Sequence, residues 1–286
     1  MKLGIALSGG GTKGIAHAGV LKALEENGIH IDIIGGSSSG SLVSALYALG
    51  FSPYYIYVLL KRYTRQVTQM ESKPILSGIG GFMTSKKIII SGFKTGDLIE
   101  SAYNEIALKR GVKKIGDLRM PLVIPAVDIY SAKKYLFVSK KPETAREEQN
   151  EYITDISLGK AVRASSSFPA IFMPCIYKEY AFLDGGMLDN TPVSEIKKLG
   201  ANKVIAVEFE SEEVNEYSNV MDIVMKSVDI MSRKLAENNF KMANYKITIP
   251  SEKMGILDAE NLDFLYKVGY NATLKNMEEI KKAIGM

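Results

Sequence analysis

A serine hydroxyl attacks carbonyl carbon only where the chain around it raises its reactivity, and residues 31–49 supply such surroundings. The apolar run Ile31-Asp-Ile-Ile ends in Gly36-Ser-Ser-Ser-Gly40, and a helical pattern starts at once with Leu42, Ala45, Leu46 and Leu49 at i, i+3, i+4 and i+7. Strand, sharp turn and helix place Ser38 at the tip of a nucleophile elbow, where Gly36 and Gly40 let neighbouring backbone come close. The helix aims unpaired N–H groups and its positive dipole end at the serine, favouring an alkoxide or a tetrahedral oxyanion there. The composition alone would suit a flexible linker, but a linker is not clamped between an apolar strand and an apolar-periodic helix.

A second cluster lies upstream. Lys2 to Leu7 reads as a buried strand that runs into Ser8-Gly-Gly-Gly-Thr-Lys-Gly14, followed by a helix with Ile15, Ala18, Leu21 and Leu24 that ends near Asn27-Gly28. Consecutive glycines let backbone N–H groups face an anion without side-chain interference. Two chemistries use such a loop. Gly9, Gly11 and Gly14 satisfy the dinucleotide pattern Gly-x-Gly-x-x-Gly, with Asp32 near the spacing of a ribose-binding acid but ahead of its strand rather than at its end. The alternative is an oxyanion hole, because in a parallel sheet the loops after strands one and two open at the same edge, beside Ser38.

The third candidate is Asp184, which ends the short apolar run Tyr180-Ala-Phe-Leu and is followed by Gly185 and Gly186. With Asn190 and Pro192 downstream, a fixed, non-hairpin corner is expected, able to approach another loop closely. Histidine is scarce: His17 falls one turn into the first helix, where it packs near the glycine loop, and His30 precedes the second strand at the far edge. A Ser-His-Asp triad therefore has no natural base.

The elements that position these groups alternate. Residues 51–69 read as a helix whose aromatics line an apolar pocket, residues 95–109 as a helix, 121–128 and 134–139 as neighbouring strands, and 156–164 as a helix. A strand follows at 203–209, a long Met-rich helix at 219–243, a last strand at 245–250, and one or two closing helices at 262–284. That order predicts an α/β fold with a largely parallel sheet. The chain has 286 residues, 46% hydrophobic and 24% charged, enough for one substantial core. Its single cysteine, Cys175, excludes an intramolecular disulfide and a multi-cysteine zinc site, and is expected as a small buried residue in an apolar loop. The N-terminal apolar run is too short for a signal peptide, so a cytoplasmic location is expected. Gly50, Ser52 and Pro53 break the apolar window from Leu42 to Leu60, so no membrane span is predicted. Net charge is +4, with basic pairs such as Lys86-Lys87 and Lys140-Lys141 that suit a phospholipid surface; no nucleic acid partner is expected.

Taken in order, Gly9-Gly-Gly-Thr-Lys-Gly14, Gly36-Ser-Ser-Ser-Gly40 and Asp184-Gly-Gly186 resemble the patatin-like phospholipase family of serine acyl hydrolases. His17-Ala-Gly-Val-Leu, Ala161-Val-Arg-Ala-Ser-Ser-Ser-Phe-Pro169 and Asp189-Asn-Thr-Pro192 extend the likeness over residues 4–209, with residues 210–286 as a helical extension completing the same fold. The resemblance implies a three-layer α/β/α sandwich with a mostly parallel central sheet, Ser38 as nucleophile and Asp184 as its only catalytic partner. It also implies an oxyanion hole from Gly10 and Gly11, with Lys13 where the family more often has arginine. Lysine keeps the charge but not the planar fork. The expected activity is hydrolysis of lipid carboxylic esters through an acyl-Ser38 intermediate, without metal or organic cofactor; an acyltransferase on the same site and a dinucleotide-binding module are the rivals. Residues 74–95, with Phe82, Met83 and Ile88 to Ile90 among glycines and lysines, are expected to meet a membrane surface. With no catalytic histidine, no essential group is expected to titrate near 6.5.

Overall fold

Strands and helices alternate along the chain as β1 (Leu3–Leu7), α1 (Ala16–Glu26), β2 (Ile33–Gly36), α2 (Ser39–Ala48), α3 (Pro53–Gln69), α4 (Asp97–Lys109), β3 (Leu122–Asp128), β4 (Lys133–Val138) and β5 (Glu151–Ile153). There follow α5 (Leu158–Ser165), β6 (Cys175–Tyr177), β7 (Tyr180–Asp184), α6 (Gly186–Asp189), α7 (Val193–Lys198), β8 (Lys203–Phe209), α8 (Val220–Met242), β9 (Tyr245–Ile249), α9 (Leu262–Lys275) and α10 (Met277–Ile284). The structure, a computed structural model, describes residues 1–69, 95–146, 151–169, 171–211, 220–250 and 261–286. Of the segment expected to meet lipid, only Thr95 falls within the described residues.

Among the described residues nine strands form one sheet with the main path β5-β4-β3-β2-β1-β8-β9, with β7 attached to β3 and β6 to β7. Pairing is parallel through β3-β2-β1-β8-β9 and between β4 and β5, and antiparallel where β3 meets β4 and β7 and where β6 meets β7. Central strands are buried on both faces, as parallel strands covered by helices must be. Side-chain alternation along β1 sends Leu3, Ile5 and Leu7 into one core and Ala6 into another. The first core also takes Leu21 and Leu24 of α1, Leu46 of α2, Val162 of α5 and Leu265 of α9. The second takes Val193 and Ile196 of α7 and packs Phe240 of α8. This is the three-layer α/β/α arrangement with a mostly parallel sheet.

Where β3 departs from the parallel pattern, it builds the site. Its first residues pair with β2, Ile34 opposite Leu122 and Gly35 opposite Val123, and its last three pair with β7 running the other way, Ala126 opposite Asp184. Along that edge of β3, the carboxyl ends of β2 and β7 therefore meet head to head. Pro125 lies at the junction with its carbonyl facing Gly185, so its missing N–H interrupts no ladder on that side. Cys175 is buried as expected, but on a strand rather than in a loop.

Candidate active site

Ser38 caps α2 with φ 50° and ψ −123°, a backbone conformation that favours glycine and costs a serine roughly 1–3 kcal/mol. The turn is held in that state from several sides. The Ser37 N–H donates to the Leu7 carbonyl at 3.2 Å, and the Ser38 N–H donates to Ser165 Oγ at 3.1 Å. The Ser38 carbonyl accepts from the Ser41 hydroxyl at 2.6 Å and from the Ser166 hydroxyl at 3.3 Å. The flanking glycines are explained by contact: a Cβ on Gly40 would lie 2.2 Å from the Leu7 carbonyl oxygen, and one on Gly36 would lie 2.6 Å from the Gly40 backbone. No other residue lets the first turn of α2 settle on the end of β1.

Asp184 arrives at this turn from β7 and is almost wholly buried. Its N–H donates to the Ser167 carbonyl at 3.0 Å, and the Gly186 N–H donates to Oδ1 at 2.8 Å. Gly185 packs so closely that a Cβ there would lie 2.1 Å from the Pro125 carbonyl oxygen and 2.8 Å from Ser37 Oγ. Burial pushes the Asp184 carboxyl up to about 7, against the downward pull of the Ser38 hydroxyl and of the Gly186 N–H. Ser38 is thus near enough to act on the charge, yet buried Oδ2 has no well-aligned hydrogen-bond partner among the described residues. Catalytic hydrogen bonds are commonly loose before substrate arrives. Burial thus moves this carboxylate towards the range in which an imidazole ordinarily titrates.

The glycine loop closes the third side. A Cβ on Gly9 would lie 2.9 Å from Ser38 Cβ, so the loop touches the Ser38 turn. Gly10 has φ 172° and Gly11 φ 61°, and among the described residues neither N–H is engaged by a hydrogen bond. Gly14 presses on Ser39 at the start of α2. Lys13 is buried with Nζ 5.6 Å from the centre of the Phe209 ring. His17 is buried behind the loop, its Nε2 2.8 Å from the Ser8 carbonyl oxygen and its ring 4.9 Å from Phe209. Desolvation lowers its pKa to about 4, so it stays neutral and packed, while His30 is exposed ahead of β2. Asp32 accepts the Leu3 N–H at 2.7 Å at the opposite end of β1 from the glycine loop, which leaves the dinucleotide reading without its ribose ligand.

Sequence reasoning passed over two positions. Ser165, read only as part of a serine run, ties the elbow to the acid strand through its hydroxyl and its carbonyl, which accepts the Gly185 N–H at 3.4 Å. Asn190, read as a corner residue, accepts the Gly9 N–H on Oδ1 at 2.8 Å. The aromatics of α3 line a cleft of about 530 Å³ together with Arg62, Lys109 and Arg110, and no residue of the serine site lines it.

A buried aspartate thus lies beside a strained serine turn and a glycine loop on an α/β/α sandwich. The chain belongs to the patatin-like phospholipase family, whose profile matches residues 5–196. It is 28% identical over 295 residues to Lysophospholipase NTE1 of Meyerozyma guilliermondii, covering 94% of this chain and 19% of that protein. It is 31% identical over 210 residues to Lysophospholipase NTE1 of Eremothecium gossypii, covering 73% of this chain and 12% of that protein. The chain therefore spans less than a fifth of the length of these curated relatives. Among solved structures it is similar to the ExoU–SpcU complex of Pseudomonas aeruginosa, with TM-score 0.51 and 18% identity, covering 100% of this chain and 52% of that one. It is also similar to VipD of Legionella pneumophila, with TM-score 0.50 and 15% identity, covering 97% and 67%. At these identities the likeness is one of fold. Among the described residues, no helix is long and apolar enough to cross a membrane.

Proposed function

We propose that this chain is a lipid acyl hydrolase of the phospholipase A, lysophospholipase or esterase type, working through a Ser38–Asp184 dyad. The observation that carries the reading is the buried Asp184 carboxyl beside the strained Ser38 turn, against which the glycine loop also packs at Gly9. Asp184 takes the Ser38 Oγ proton as Oγ attacks the ester carbonyl carbon, and the resulting oxyanion is held by the Gly10 and Gly11 N–H groups and the amino end of α2. Collapse breaks the bond to the alcohol, which leaves with the proton from Asp184. Water then attacks the acyl-Ser38 ester, giving its proton to Asp184, which returns one to Oγ as the fatty acid departs. No metal or organic cofactor enters these steps, and chelators should leave the rate unchanged. The site of action is the cytoplasm, at a lipid surface that residues 74–95 contact transiently; a Phe82→Asp variant should lose the rise in rate above the critical micelle concentration and keep its rate on a short soluble ester.

The test is product analysis with phosphatidylcholine and lysophosphatidylcholine, with and without an added alcohol. Free fatty acid released by the wild-type protein and not by Ser38→Ala supports the hydrolase. Acyl groups delivered mainly to the alcohol would make it an acyltransferase, and equal release by Ser38→Ala would remove the serine from the mechanism.

A further inference from the structure

We propose that Asn190 is a positioning residue that locks the glycine loop in its anion-holding shape and ties it to the catalytic acid; the proposal rests on the hydrolase reading above. Consecutive glycines carry no side chains to fix their dihedral angles, and each is free to take either sign of φ. Left alone, the N–H groups of Gly10 and Gly11 would sample many directions, and an oxyanion hole that must first reorganise loses most of its effect. Something must hold the loop. β1 ends at Leu7, and the first backbone anchor beyond it is the Ser8 N–H, which donates to the Val207 carbonyl at 3.0 Å. The next anchor is not backbone but the Asn190 side chain, whose Oδ1 accepts the Gly9 N–H at 2.8 Å. Only the amide oxygen can accept a backbone N–H, so this contact also fixes which way the amide points.

Two features make the bond more than a local tie. It uses the N–H immediately ahead of Gly10 and Gly11, so the hole is confined to those two donors and begins from a fixed point. The same oxygen also lies 2.9 Å from where a Cβ on Gly186 would stand, so it is wedged between the glycine loop and the turn that follows Asp184. Asn190 caps the four-residue helix α6, which starts at Gly186, the residue whose N–H holds Asp184 Oδ1. One short segment thus carries the base at one end and the anchor of the anion loop at the other.

That segment is itself held from behind. Asp189, buried beside Asn190, accepts from Lys134 Nζ at 2.8 Å through Oδ2 and from Asn239 Nδ2 at 3.0 Å through Oδ1. Lys134 also donates to Glu195 Oε1 at 2.9 Å. Burial opposes the lysine charge, but the two carboxylates outweigh it and raise its pKa, so the ion cluster is kept. β4, α7 and α8 therefore brace the segment from which Asn190 reaches the loop.

The test combines Asn190→Ala with Asn190→Ser, whose hydroxyl is too short to reach Gly9, in case the first does not fold. Three readouts are taken: steady-state kinetics on a soluble ester, affinity for an alkylboronic acid that forms a tetrahedral anionic adduct with serine, and affinity for a non-cleavable ether lysolipid. The expected result is a loss of roughly ten- to a hundredfold in kcat, with KM little changed, and an equal loss in boronate affinity. Ether lipid binding and the pH midpoint set by Asp184 should stay as in the wild type. By amide hydrogen exchange, Gly9 should lose its protection in the variant while core strands keep theirs. Unchanged boronate affinity, or equal loss of boronate and ether lipid, would overturn the role given to Asn190. Failure of the wild-type protein to bind the boronate at all would instead sink the hydrolase reading.

Discussion

If Asp184 is the base of the proposed dyad, it serves only when ionised, and burial pushes its carboxyl up to about 7. On the dyad mechanism, kcat/KM should rise with pH through a midpoint near 7 and level off above it, with no contribution from His17, which is held neutral by burial down to about 4. His17→Gln should therefore keep the midpoint, whereas a flattened profile in that variant would return a histidine to the mechanism. The same pKa has a thermodynamic sign. The folded value lies above the ordinary 3.8, so the fold favours the protonated carboxyl, and that preference is lost as pH rises from about 4 through about 7. Asp184→Asn should accordingly match the wild type near pH 4 and exceed it in stability above pH 7, by on the order of 1–4 kcal/mol. Thermal melts at both pH values decide this; a variant less stable at pH 8 than at pH 4, relative to wild type, contradicts the burial argument. The strained turn at Ser38 was legible in the sequence because an elbow is local, with strand, glycines and helix all within residues 31–49. The titration of Asp184 was not, since it depends on what covers the carboxyl in three dimensions.

At the level of elements, the site depends on two strands that abut on β3. Reading alternating strands and helices gives a parallel sheet but says nothing of β7 turning back to meet the end of β2, because antiparallel attachment at Ala126 to Asp128 is settled by long-range pairing. Pro125 and the Gly185-Gly186 pair are the sequence traces of that junction, one lacking a donor where no ladder runs and the other lacking a Cβ where backbone passes. Gly185→Ala puts a methyl 2.1 Å from the Pro125 carbonyl oxygen, and the β3 backbone there leaves little room to yield. The expected cost is about 1–3 kcal/mol of stability together with a larger loss of turnover than of substrate binding, because the shift displaces Asp184. Denaturant melts and kinetics on the purified variant check it; wild-type turnover would show that the end-to-end contact does not set the geometry. Ser165 and Asn190 escaped sequence reasoning for a related reason: a single side chain reaching across from a distant segment leaves no periodic signal.

For the whole molecule, the matched family region ends at residue 196, yet the sheet and the cores do not. β8 and β9 extend the sheet beside β1, and α9 lies on α1 so closely that a Cβ on Gly269 would stand 2.0 Å from the Ala16 carbonyl oxygen. Leu262, Leu265, Ile280 and Ile284 join the core that also holds α1. We therefore take residues 4–209 and 210–286 as parts of one folding unit. A chain ended after residue 209 should fail to fold, with lost cooperative melting and exposed apolar surface; a soluble, cooperatively melting fragment would separate the two parts. The relatives show that such a unit can sit within a much longer protein, since it spans less than a fifth of each.

The most direct measurement is the pH dependence of covalent labelling by a fluorophosphonate, with the modified peptide mapped. A Ser38–Asp184 dyad predicts one labelled residue, Ser38, a rate that rises with pH through about 7, and at least a thousandfold slower labelling in Asp184→Asn while the variant stays folded. Labelling at another residue, or wild-type labelling of Ser38 in Asp184→Asn, would contradict it.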